Sequence, residues 1–142
     1  MVRHGEYRVE GRDSGTRILV ARDGSNNWST PLVITHGGRK QIVVAAPAAV
    51  HGYDFESGKS IWSATGLGTN TVPQPVQHGD MVIVMSGYDV VVARTGAPFE
   101  VIATNTLADQ FFVATPVISR DEMFLRSRSH LFKIAGASPG SR

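Results

Sequence analysis

Five histidines and a scatter of carboxylates are the side chains in this 142-residue sequence best suited to hold a metal or move a proton. His4, His36, His51, His78 and His130 stand far apart. None lies two or four positions from another, the short spacing by which one strand or helix turn offers two imidazoles to a single ion. His36-Gly37-Gly38 and His78-Gly79-Asp80 read instead as matching hairpin corners, where an imidazole meets solvent. Asp80, Asp109, Asp121 and Glu122 contain one adjacent pair, Asp121-Glu122, at a third such corner. Neither a Gly-x-Ser-x-Gly elbow nor a phosphate loop occurs. Gly66-Leu67-Gly68-Thr69-Asn70 is glycine-rich but leads from strand to strand, with no helix N-terminus to meet an anion. With no cysteine, disulfides, thiolate metal sites and thiol catalysis drop out together. The expectation is no catalytic, cofactor-binding or metal-binding residue.

Charge and composition narrow the partners. Lys and Arg number 14 against 12 Asp and Glu, a net charge of +2 with no basic run. Arg126 and Arg128 beside His130 make the densest positive spot, too small to capture nucleic acid electrostatically. A hydrophobic fraction of 42% with 18% charged residues is that of a globular domain with a real core. No apolar run approaches the ~18 residues of a membrane span. Met1-Val2-Arg3-His4-Gly5-Glu6 lacks the apolar region of a secretion signal, so the chain as it stands carries no such address.

The elements that must position any site are strands. Gln41–Ala45, Met81–Met85 and Asp89–Ala93 are β-branched runs of strand length, suited to burial on both faces. Turn formers separate them, and no apolar stripe of helical period persists over three turns. The strands recur. Ser57-Gly58-Lys59-Ser60-Ile61-Trp62 echoes Ser14-Gly15-Thr16-Arg17-Ile18-Leu19, 43 positions earlier. Pro31, Pro75 and Pro116, each followed by valine or leucine, recur at steps of 44 and 41. A period of roughly 40–45 residues made of short strands is that of a four-stranded propeller blade.

The reading is therefore an all-β, β-propeller-type array of about three four-stranded antiparallel blades, as an incomplete or oligomer-completed ring. One domain covers 1–142: blade parts at 5–23, blades at 28–65, 72–105 and 113–135, and a disordered tail at 136–142. Within each blade the strands run a to d, with a near 30–35, 74–77 and 114–119. The third blade lacks a d strand. The strands at 7–11 and 17–21, joined by Asp13-Ser14-Gly15, offer one that would complete it.

Asp54-Phe55-Glu56-Ser57-Gly58-Lys59-Ser60-Ile61-Trp62, with Trp28-Ser29-Thr30-Pro31 upstream, resembles the pyrroloquinoline-quinone-type β-propeller repeat. That pattern is Asp-x-x-Thr-Gly-Lys-x-x-Trp, and serine for threonine is the one change. Leu19 replaces the tryptophan in the first copy; the second keeps Thr95-Gly96 but has Val92 for the aspartate and no tryptophan. Such repeats also build the outer-membrane protein assembly lipoprotein of bacteria. The resemblance implies a shortened member, with middle blades missing at a junction near Tyr88-Asp89, and a periplasmic or secreted setting. It also implies structural roles for Pro31, Asp54, Gly58, Trp62, Pro75, Gly96 and Pro116.

Two functions from different classes follow. The first is a non-catalytic binding or scaffolding module for a protein or peptide, with self-association through unpaired strand edges. Its expected partner surface is Asn27, Trp28, Phe111 and Phe112, aromatics and amides on the connectors between blades. The alternative is a fragment of a quinoprotein-like enzyme binding pyrroloquinoline quinone and calcium. Those enzymes are longer rings, often capped by a vicinal cysteine pair that this chain lacks, and Asp54 falls on the structural turn.

Overall fold

The computed structural model describes residues 6–10, 17–21, 28–69, 71–95, 100–107 and 109–136, with backbone alone for the first two stretches. The described residues hold thirteen strands and no helix. β3 (Leu32–His36), β4 (Arg39–Ala46), β5 (Ala49–Asp54) and β6 (Ser60–Thr65) form a first antiparallel sheet in chain order. β7 (Val76–His78), β8 (Met81–Ser86), β9 (Asp89–Arg94) and β10 (Glu100–Thr106) repeat that order in a second. β11 (Val117–Ser119), β12 (Glu122–Arg126) and β13 (Leu131–Ala135) make a three-stranded third.

Among the described residues, β1 (Glu6–Glu10) and β2 (Arg17–Ala21) pair only with each other. β2 does not fill the vacant d position of the third sheet, in keeping with the incomplete ring expected from the sequence, and among the described residues β12 is the one strand paired with β13. The Asp13-Ser14-Gly15 turn, Gly96, Asn27 and the tail at 137–142 lie outside the described residues.

Each a strand is shorter than the sequence suggests, because it starts one residue after a repeated proline (Pro31, Pro75, Pro116). Proline has no N–H to give a ladder and so marks the first place pairing can begin. The residues just before these prolines tie the sheets together instead. Ser29 Oγ donates to the Pro73 carbonyl at 2.8 Å, and the Gln74 amide donates to Thr115 Oγ1 at 3.1 Å. One repeat is thereby fastened to the next at its entry.

Core residues alternate onto the two faces of each sheet, as the period of two requires. Ile34, Val43, Val50 and Trp62 of the first sheet pack against Val82, Val84 and Val91 of the second. The opposite face of the second, with Ile83, Met85 and Val90, packs against Leu125 and Phe112, with Met123 and Phe132 alongside. The second sheet is thus covered on both faces, which is why β8 reads as an uninterrupted Met-Val-Ile-Val-Met run. Both clusters join successive sheets. Neither joins the third back to the first, so among the described residues the array does not close into a ring.

Candidate partner-binding surface

The most specific sequence motif forms the β5–β6 turn. Asp54 Oδ1 accepts from the Ser57 amide at 2.7 Å and from the Ser57 hydroxyl at 2.6 Å. The Gly58 amide donates to the Asp54 carbonyl at 2.8 Å, with Gly58 at a φ of 67° that its missing Cβ allows. The Ser57 hydroxyl, then the Ser57 amide, hold the Asp54 carboxyl below its ordinary value. Past the turn, Trp62 lies across Gly52, and its Nε1 donates to Gln41 Oε1 at 2.9 Å. A Cβ on residue 52 would overlap the indole ring, so the glycine and the tryptophan form one device. Trp62 belongs to the apolar cluster shared with the second sheet, while the bonds of Asp54 and Gly58 described above lie within the turn. Pro75 and Pro116 are buried and Pro31 is exposed.

The histidines are dispersed. His36 sits 3.1 Å from the Thr95 hydroxyl, His51 is tilted against Tyr53, and His130 lies 2.7 Å from the Ser129 hydroxyl. Among the described residues no three His, Asp or Glu side chains gather where they could share a metal ion. Asp80 and Glu100 flank Arg94 at 3.2 and 3.1 Å, and Glu122 meets Lys133 at 2.7 Å. Each of these carboxylates is at least partly exposed and paired with a cation on a neighbouring strand.

The residues expected on the partner surface divide. Trp28 is exposed, at 65%. Phe112 is fully buried and is not on the surface. Its backbone bridges Gly87 and Ser127, placing its ring against Phe132 in the second core. Phe111, one residue earlier, therefore points the other way. It is half-buried, edge-on to Tyr88 at 5.4 Å, with the Arg128 guanidinium 5.3 Å from its ring. Tyr88 comes from the β8–β9 hairpin, where half its surface is open, and Arg128 from the β12–β13 hairpin.

In an up-and-down sheet these hairpins and the connector share one end, so three separate segments present one aromatic and cationic cluster. Sequence reading found Phe111 but not Tyr88 or Arg128. The available signal was that both occupy the tip between the second and third strands of successive repeats. The proposed junction at Tyr88-Asp89 falls in that same hairpin, whose register runs unbroken from Ser86 opposite Asp89 to Met81 opposite Arg94.

A groove of about 380 Å³ opens at the other end, between the second and third sheets. Its walls are largely apolar, with Met81, Ile83 and Val92 facing Ile118, Met123 and Ile134.

Stacked four-stranded antiparallel sheets, repeated in chain order and fastened at their entries, define a β-propeller-type protein. The crystal structure of BamB from Moraxella catarrhalis is similar to this chain, with a TM-score of 0.71 and 15% sequence identity. The likeness covers 93% of this chain and 40% of that one, so the chain spans well under half of the BamB structure's length. At that identity it is the fold that is shared. No family model matches the sequence, and no curated protein matches it. No helix among the described residues is long and apolar enough to cross a membrane.

Proposed function

We propose that this chain is a non-catalytic scaffold that binds a protein partner through the connector end of its stacked sheets. The observation that carries the reading is the Tyr88–Phe111–Arg128 cluster. Tyrosine and arginine are enriched among residues that dominate binding energy, and here a second aromatic, Phe111, holds them in a fixed arrangement. The cluster rests on rigid sheets, so little conformational freedom is lost when a partner docks. BamB is similar in fold, and that likeness supports a scaffold built from the same architecture.

Placing a photo-crosslinking phenylalanine analogue at position 88 in the full chain, expressed in its native cells, tests the reading. A discrete crosslinked protein, absent when the analogue replaces Glu56 and lost with Arg128→Glu, is the expected result. Equal patterns at positions 88 and 56 would end the proposal.

A further inference from the structure

We propose that the groove between the second and third sheets receives an aromatic side chain, an indole above all, carried by an extended peptide that pairs with β13. This site lies at the end of the sheets opposite Tyr88, Phe111 and Arg128, and goes beyond the scaffold reading.

The argument rests on register. In the first sheet Gly52 stands opposite Val43 on one side and Trp62 on the other, with Ile61 skipped by a bulge. In the second, Val92 stands opposite Ile83 and Ala103, with Ile102 skipped by the same kind of bulge. Gln41, opposite Asp54, corresponds to Met81, opposite Arg94. The Gln41–Gly52–Trp62 device is thus replaced by Met81, Val92 and Ala103. Between the first two sheets an indole fills the space over the glycine. Between the next two, alanine stands where the tryptophan was, and Met81 and Val92 line an open groove.

The chain has no large side chain of its own at the equivalent position on β10. A tryptophan there would meet the Val92 side chain, since even a Cβ at Gly52 overlaps the indole in the first sheet. The filler must therefore enter from another direction. β13 supplies it: among the described residues β12 is its one paired neighbour, and Ile134 on this edge strand belongs to the groove wall. A peptide strand hydrogen-bonded along β13 would set its inward-pointing side chains beside that wall. Backbone pairing gives such a ligand its hold, and the groove selects the aromatic.

The test is a titration of the full chain with a fluorescein-labelled peptide, Thr-Val-Trp-Val-Thr, read by anisotropy. The same peptide with alanine for tryptophan and free N-acetyltryptophanamide serve as controls. The tryptophan peptide should bind at least tenfold more tightly than the alanine peptide. It should also shift the methyl resonances of Met81 and Met123. Val92→Gly with Ala103→Trp, which rebuilds the indole over a glycine, should fill the groove, raise Tm and abolish binding. Should that pair not fold, Ile134→Lys on the exposed edge should abolish binding while leaving cooperative unfolding intact. Absence of binding, equal affinity for both peptides, or N-acetyltryptophanamide binding as tightly as the peptide would each overturn the proposal. The last result would assign the groove to a small aromatic ligand. A crosslink at position 88 is read separately, so the two proposals fail independently.

Discussion

Gly52 and Trp62 show how single residues set the first interface. Gly52→Ala forces a methyl into the indole, and overpacking of this kind costs about 1–3 kcal/mol, sometimes more. Trp62→Phe keeps most of the apolar area but leaves the buried Gln41 oxygen without the indole donor, a loss of about 1–3 kcal/mol. We expect both variants to unfold at lower urea than the parent with unchanged m values, by circular dichroism. Asp54 gives a pH signature. Its carboxyl is held below the ordinary value in the folded state, so the unfolded state binds the proton more readily. Its contribution is complete above the unfolded value and fades as pH falls through the folded one, a window below about pH 4. Asp54→Asn should flatten the acid limb of the stability curve in that window and lower stability at neutral pH. An unchanged acid limb would refute the assignment.

At the scale of the element, the first two strands of each of the three stacked sheets are joined by a two-residue turn whose first residue is left-handed. Gly37 and Gly79 fill that position at φ of 56° and 59°, but Arg120 fills it in the third sheet at 56°. A side chain there costs about 1–2 kcal/mol, because its Cβ crowds the carbonyl. Arg120→Gly relieves this but frees the unfolded chain by about 0.4–1 kcal/mol. The expected net gain is about 0.5–1 kcal/mol, visible as a raised urea midpoint; a lowered midpoint would contradict it.

The adjacent phenylalanines make a related point about legibility. Connectors were evident from their glycines, asparagines and aromatics, yet nothing in Phe111-Phe112 says which ring turns inward. That follows from the bridges of residue 112 to Gly87 and Ser127, contacts between segments distant in the chain.

At the scale of the whole molecule, the array has two ends. The outward face of the third sheet shows Val117 at 57% and Leu131 at 73% exposure, on a sheet whose last strand has, among the described residues, a free edge. Unpaired edges with apolar side chains invite pairing with another chain. We expect the solution mass to rise above the 15.3 kDa monomer as concentration increases, by sedimentation equilibrium. Leu131→Lys should return it to the monomer value, because a charge on the edge cannot be desolvated cheaply. A monomer mass across the whole range would dispose of this expectation.

The sequence by itself determined the class of element, the rhythm of the sheets and the turn chemistry. These depend on neighbours within a few residues: β-branched runs extend, glycine permits left-handed corners, and proline sets where a ladder starts. Tertiary structure alone decided which phenylalanine is buried and where the indole-sized space stays open. Those features depend on register, including the skipped Ile61 and Ile102, and on which face meets which sheet. Such pairings join residues many positions apart, and their outcome is a sum over packed surfaces that no local pattern encodes.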